Sequence, residues 1–129
     1  MANVLLIEDQ ESLLDTLSTL LALEGHHVYT ALEKSEVQEI LKNEAIELIL
    51  LDIFLVSEEG EEINGMEILD EIRRNQALKD TAVIMTSGSD LEEQVIKAGA
   101  DGFLMKPYMP DQLLSLIQSQ LANTDPSLR

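Results

Sequence analysis

The chain has 129 residues, 45% of them hydrophobic, no cysteine, and a formal charge of −17 from 25 acidic against 8 basic side chains. That length suits one domain with a substantial core, and the missing cysteine excludes disulfides and thiolate metal sites. The negative balance opposes direct contact with nucleic acid, whose affinity rests on Lys and Arg neutralising phosphates.

No apolar run approaches membrane-spanning length, and no basic leader precedes an apolar stretch at the N-terminus, so a cytoplasmic soluble domain without membrane contact is expected. The acidity serves solubility, or some of the carboxylates gather to hold a divalent cation. Composition alone leaves both readings open.

Val4–Ile7 reads as a buried strand that ends on Glu8 and Asp9. Leu13, Leu14, Leu17, Leu20 and Leu21 then recur at helical spacing, with Gly25 as a stop signal. His27–Ala31 is a less apolar strand, as expected nearer a sheet edge. His26 and His27 lack metal spacing and read as surface or strand residues. Ser35 with Gln38 three residues later is a capping-box pattern for the second helix.

Leu48–Leu51 is the third strand and stops on Asp52. A third helix is expected from about Met66 to Arg74, with Ile68, Leu69 and Ile72 inward. Ala82–Met85 is a fourth strand, followed by Thr86, Ser87 and Gly88. Leu91, Val95, Ile96 and Ala98 give a short helix ending near Gly99. Gly102–Met105 is a fifth strand, followed by Lys106 and Pro107. Pro110 suits a first helical turn, and Leu113, Leu114, Ile117 and Leu121 supply the last stripe. Residues 1–122 are read as one domain. Residues 123–129 carry turn-type side chains and are expected to form a disordered tail.

Strand and helix alternate throughout, and the strands are almost continuously apolar. That pattern predicts an α/β fold: a doubly wound, five-stranded parallel sheet with five helices covering both faces. In such sheets ligands sit outside the carboxyl ends of the strands. Glu8, Asp9, Asp52, Ser87 and Lys106 all fall at those ends. Three acids at one mouth repel, by roughly 4 kcal/mol per pair at 4 Å and an effective dielectric of about 20. Lys106 and a hard divalent ion such as Mg²⁺ are the candidate counter-charges. An aspartate so placed is a candidate nucleophile toward phosphorus, because phosphoryl transfer needs mainly positioning and charge stabilisation.

These residues resemble the receiver domain of two-component response regulators (CheY-like, with a flavodoxin-like fold) from about Asn3 to Leu121. The likeness rests on an ordered set: Glu8-Asp9, Asp52 after an apolar strand, Asn64-Gly65 opening the third helix, Ser87-Gly88, and Lys106-Pro107. The resemblance implies strand order 2-1-3-4-5 and a cis Lys106–Pro107 bond. It implies Asp52 as phosphoacceptor from a histidine kinase or histidine phosphotransfer protein. Glu8, Asp9, Asp52 and the main-chain carbonyl of Phe54 would hold Mg²⁺ or Mn²⁺, with Asp9 the stronger candidate of the acidic pair. Lys106 and Ser87 would bind the phosphoryl group, and Ser87 with Phe103 would act as the switch.

The resemblance further implies a phosphoacceptor switch in place of an enzyme, catalysing only its own phosphoryl gain and loss. It would signal through a downstream protein target, as a monomer or a phosphorylation-dependent dimer. No output domain is expected beyond Leu121, so binding to another protein is the expected route. The alternative is a phosphorylation-independent interaction module of the same fold. An aspartyl-nucleophile phosphatase usually has a second Asp two residues after the nucleophile, where Phe54 stands.

Two departures from the family pattern stand out. The connection from Asp52 to Gly65 is longer than usual and carries Glu58, Glu59, Glu61 and Glu62. It reads as a solvated acidic loop, or as one that tunes metal affinity or selects a kinase. Met109 also replaces the usual polar cap before the last helix.

Overall fold

The computed structural model describes residues 2–124. In chain order the elements are β1 (Asn3–Ile7), α1 (Glu11–Leu23), β2 (His27–Ala31), α2 (Lys34–Asn43), β3 (Leu48–Asp52), β4 (Phe54–Val56), β5 (Glu62–Asn64), α3 (Gly65–Arg74), a 3-10 turn (Gln76–Leu78), β6 (Ala82–Ser87), α4 (Glu92–Lys97), β7 (Gly102–Met105) and α5 (Pro110–Thr124). The main sheet has five parallel strands in the order β2-β1-β3-β6-β7, the arrangement expected for the receiver fold.

The apolar strands are central because both of their faces are covered. Leu5, Ile7, Ile49, Leu51, Val83 and Met85 meet α2, α3 and α4 through Val37, Ile68, Leu69, Ile72 and Val95. Val4, Leu6, Leu48, Leu50, Ala82 and Ile84 meet α1 and α5 through Leu17, Leu21, Leu113 and Ile117. The amino-terminal edge of the sheet is locked by Arg73, far from the carboxyl-end mouth. Its guanidinium donates to the carbonyls of Gly99 at 2.7 Å and Thr81 at 3.0 Å and to the Asp101 carboxylate at 2.8 Å. Asp101 also accepts the Val83 N–H at 2.8 Å, which joins three chain segments around one half-buried guanidinium.

Several local expectations change. The second helix begins at Lys34, before Ser35. Its reciprocal cap is formed by Glu33 and Glu36, whose carboxylate accepts the Glu33 N–H at 3.0 Å. Ser35 is therefore already inside the helix. The Met109 N–H is satisfied at 2.7 Å by the Gln112 side chain, so the apolar residue before α5 leaves no open donor there. The last helix continues to Thr124, past the expected start of the tail, and residues 125–129 lie outside the described residues.

The acidic connection is a second small sheet: β4 pairs antiparallel with β5, Leu55 opposite Ile63. Gly60, at φ +84, allows the tight return, and the Ser57 hydroxyl accepts the Glu61 N–H at 3.0 Å. Leu55 is buried and anchors the hairpin to the core. The charges of the hairpin tip act on Glu33. Burial, then Glu59, Glu36, Glu61 and Glu58, push that carboxyl above its ordinary range.

Candidate functional site at the carboxyl ends of the strands

β1 and β3 run side by side, with Ile7 opposite Leu51, so the residues after them emerge together. Glu8 and Asp52 are nine-tenths buried there, at 6% and 5% exposure, although both are acidic. The compensation comes from Lys106, which follows edge strand β7. Its ammonium donates at 2.9 Å to Glu8 Oε1 and at 2.9 Å to Asp52 Oδ2. The peptide between Lys106 and Pro107 is cis. The second Glu8 oxygen accepts the N–H groups of Asp9 at 2.9 Å and Gln10 at 3.1 Å, which fixes the carboxylate at the entry to α1.

The charges respond accordingly. Burial pushes the Glu8 carboxyl above its ordinary 4.5, against the opposing pull of Lys106 and the Gln10 N–H. Burial pulls on Lys106 the other way, but the hydrogen bonds and charges of Asp52 and Glu8 outweigh it, and the ammonium ends above its ordinary 10.5. The two shifts are compatible: one cation is shared by two carboxylates, so the cation is over-supported and Glu8 is under-compensated.

Asp9 completes the acidic group. Oxygens of Glu8, Asp9 and Asp52 lie within 4.8 Å of one another. An all-oxygen donor set at that spacing fits Mg²⁺ or Mn²⁺ and disfavours softer metals. The hairpin places main-chain groups on the edge of β4 beside Asp9. The Gly65 N–H donates to the Ile53 carbonyl at 2.7 Å and the Ser57 N–H to the Glu61 carbonyl at 2.8 Å. By the alternation of an antiparallel pair, Phe54 and Val56 then turn their main-chain groups to the outer edge of β4. The Val56 N–H does reach outward, donating to Asp9 Oδ2 at 2.9 Å. The Phe54 carbonyl lies on that same edge, where it fits as a metal ligand.

The hairpin thus holds Asp9, a link that the sequence reading missed. The only signal was the apolar run Ile53–Val56 and the alternating Glu62-Ile63-Asn64 on either side of Gly60, each too brief for a strand assignment. Hydrogen bonds to ligating carboxylates typically contribute a factor of 10–100 in metal affinity. Deleting Glu58–Glu62 should therefore weaken Mg²⁺ binding roughly tenfold in a calorimetric titration. Unchanged affinity would mean that the hairpin has no hold on the site.

Asn64-Gly65 also has a geometric reason. The Asn64 side chain accepts the Met66 N–H at 2.9 Å and caps α3. Gly65 lies directly against the Asp52 carbonyl, and a Cβ there would also come within 2.9 Å of the Ile53 Cα. Both obstacles are backbone. Gly65→Ala should therefore displace the end of β3 and lower stability by about 1–3 kcal/mol, the usual range for overpacking, measured by denaturant unfolding. Wild-type stability in that variant would show that the chain beside Asp52 yields freely.

Ser87 is fully buried at the end of β6, one residue beyond Thr86, the cross-strand neighbour of Asp52. Its hydroxyl accepts the Ser89 N–H at 3.1 Å, and its carbonyl accepts the Lys106 N–H at 2.8 Å. Strand alternation places Ser87 on the same sheet face as Met85 and its partner Phe103, and the structure does not join Ser87 to Asp52 directly. Phe103 is half-buried on edge strand β7 and, with Leu104, borders a shallow cleft of about 620 Å³ against α5. Tyr108, not singled out by the sequence reading, packs beside the site against the core face shared by α1 and α5. Burial, then the charge of Glu8, pushes its phenol up to about 12.

Comparisons with known proteins agree with this geometry. The family model for the response regulator receiver domain matches residues 4–118. The chain is 36% identical over 124 residues to a transcriptional regulatory protein, the CpxR homolog of Haemophilus influenzae, covering 94% of this chain and 51% of that protein. It is 35% identical over 121 residues to the alginate biosynthesis transcriptional regulatory protein AlgB of Pseudomonas putida, covering 92% of this chain and 26% of that one. The chain spans about half or less of the length of the curated relatives it matches.

Among solved structures, a CheY-like response regulator receiver domain protein from Methanospirillum hungatei superposes with a TM-score of 0.83 at 28% identity, covering 98% of each chain. The receiver domain of NtrX from Brucella abortus gives 0.80 at 28% identity, covering 92% of this chain and 97% of that one. No helix among the described residues is long and apolar enough to cross a membrane. With the ordered motifs, the sheet order and the acidic mouth in agreement, the chain belongs to the response regulator receiver domain family.

Proposed function

We propose that this receiver is a phosphorylation switch in which Asp52 accepts a phosphoryl group from a histidine kinase or a histidine phosphotransfer protein. The observation that carries the reading is the Lys106 ammonium, which holds two nine-tenths-buried carboxylates from different strands at once. One Asp52 oxygen is engaged by Lys106. The other oxygen attacks phosphorus, forming the acyl-phosphate O–P bond as the donor's P–N bond breaks and the imidazole leaves with a proton.

A divalent ion held by Asp9, Asp52, Glu8 and the Phe54 carbonyl would supply charge neutralisation at this step. Lys106 stabilises the transferred oxygens, and Ser87 is placed to follow the new charge from the end of β6. Phosphorylation adds up to two negative charges and strong acceptors beside β6 and β7. The edge strand β7 with Phe103, flanked by α4 and α5, is the surface whose two arrangements this charge biases. The partners are a kinase or phosphotransfer protein upstream and a protein target downstream, with the receiver a monomer or a phosphorylation-dependent dimer. The charge of −17 argues against contact of this segment itself with a phosphate backbone.

The test is incubation with acetyl phosphate and Mg²⁺, followed by intact and peptide mass measurement. One phosphoryl group on the peptide containing Asp52, absent with chelator, supports the switch. No gain under any divalent ion would leave a phosphorylation-independent binding module.

A further inference from the structure

We propose that the Tyr108 hydroxyl is a positioning donor for Glu8, engaged when Lys106 turns from Glu8 to the phosphoryl group on Asp52. This inference rests on the phosphoacceptor reading above.

Among the described residues, Tyr108 Oη is the one buried side-chain polar atom with no hydrogen-bond partner. A buried hydroxyl without a partner is unfavourable and calls for an explanation. Tyr108 lies two residues beyond Lys106 and lines a cavity of about 390 Å³ with Gln10, Leu13, Lys106 and Pro107. The cavity therefore runs between Gln10 and Leu13 at the start of α1 and the segment that carries the lysine. The charges of Glu8, Lys106 and Asp52 all act on the phenol.

The matching deficit arises on Glu8. Its Oε2 is held by two main-chain N–H groups, whereas Oε1 has Lys106 alone. A phosphoryl group on Asp52 attracts that ammonium more strongly than a single carboxylate can. Once Lys106 has turned, Glu8 Oε1 keeps no protein hydrogen-bond donor, and a metal ion shared with Asp9, Asp52 and the Phe54 carbonyl would offset its charge without supplying a hydrogen bond. The resting protein thus has one unused buried donor in the cavity that Lys106 lines, and the phosphorylated protein has a carboxylate oxygen that has lost its protein donor. A neutral phenol suits the task, because it donates without adding a second cation that would compete with Lys106 or the metal ion.

Tyr108→Phe removes the hydroxyl alone. Beryllofluoride with Mg²⁺ serves as the inert mimic of the acyl phosphate. The variant should keep or raise the resting Tm, since it deletes an unpaired buried polar atom. It should bind beryllofluoride roughly tenfold more weakly, the loss expected for one hydrogen bond to a charged group. In a Glu8→Gln background the effect of removing the hydroxyl should shrink.

As an independent readout, the tyrosine Raman doublet of a Tyr29→Phe chain, in which Tyr108 is the remaining tyrosine, should move to the donor pattern when beryllofluoride is added. A lowered resting Tm in Tyr108→Phe would show that the hydroxyl already has a partner and overturns the proposal. Unchanged beryllofluoride affinity, or an unchanged doublet, does the same. If the wild type neither binds beryllofluoride nor gains phosphoryl mass, the phosphoacceptor reading fails and this inference falls with it. If the wild type does both and the variant matches it, this inference fails alone.

Discussion

Asp52→Asn is expected to abolish phosphoryl gain from acetyl phosphate and, in the same protein, to raise stability by roughly 1–2 kcal/mol, the scale recovered when a functional site is neutralised. Both effects come from one arrangement. The mouth holds carboxylates from Glu8, Asp9 and Asp52 within 4.8 Å of one another, against the single ammonium of Lys106. Two unit charges at that distance repel by roughly 3–4 kcal/mol at an effective dielectric of about 20. An amide at position 52 removes this repulsion twice over and can still accept from Lys106, so it gives back only part of one ion pair. It has no anionic oxygen to attack phosphorus. Intact mass after acetyl phosphate and denaturant unfolding of the same sample check the two halves. A variant that still gains a phosphoryl group would move the acceptor elsewhere. A variant clearly less stable than wild type would show that the Asp52–Lys106 pair outweighs the crowding of the acids.

Lys106→Met is the opposite change and should lower stability by about 3–5 kcal/mol, the range for removing one partner of a buried ion pair. Methionine fills much of the aliphatic volume, so the loss reports the charge. Glu8 and Asp52 would both be left without their shared cation, although each is nine-tenths buried. Phosphoryl transfer should also slow by roughly 10²–10³, as when one donor to a developing anionic charge is deleted.

The pH dependence separates this from a packing defect. In the wild type the Glu8 carboxyl is raised above 4.5, so its stabilising contribution is present below that value and is lost as pH rises through its higher folded value. Without Lys106 that rise is larger, because the only cation opposing burial is gone. The deficit of the variant should therefore be widest at neutral pH and narrow on acidification toward the carboxylate range. On the alkaline side Lys106 is raised above 10.5. Its contribution is complete below 10.5, and the wild type approaches the variant only as pH climbs through the folded value beyond it. Urea unfolding at several pH values gives the curve. A deficit that stays constant from neutral to acid pH would assign the loss to packing.

The sequence by itself determined the framework. Val4–Ile7, Leu48–Leu51 and Ala82–Met85 are apolar on both sides of the pleat, and only a sheet covered by helices on both faces buries them. The same strands had to end in polar side chains wherever they left the core, so Glu8, Asp9, Asp52, Ser87 and Lys106 could be assigned to one rim from their places in the chain. His27–Ala31, the less apolar run, is an edge strand for the same reason.

Local chemistry was less legible. Ser35 and Glu33 both carry capping side chains two residues apart, and where the chain leaves β2 selects between them. The segment after Asp52 is apolar only over Ile53–Val56 and continues the run of the third strand, so nothing in it marks a separate strand. Only the burial of Leu55 against the core and the return at Gly60 turn it into a hairpin that places a main-chain N–H on Asp9.

The tertiary structure alone decided how the charges divide. That Lys106 spans Glu8 and Asp52, that the Ser87 hydroxyl accepts from Ser89 in place of bonding to Asp52, and that Tyr108 is a buried donor without an acceptor depend on side chains 54 to 98 residues apart, or on rotamers within one loop. Hydrophobic periodicity fixes which face is buried. Directional, short-range contacts between distant segments are set only when the packed faces bring their edges together.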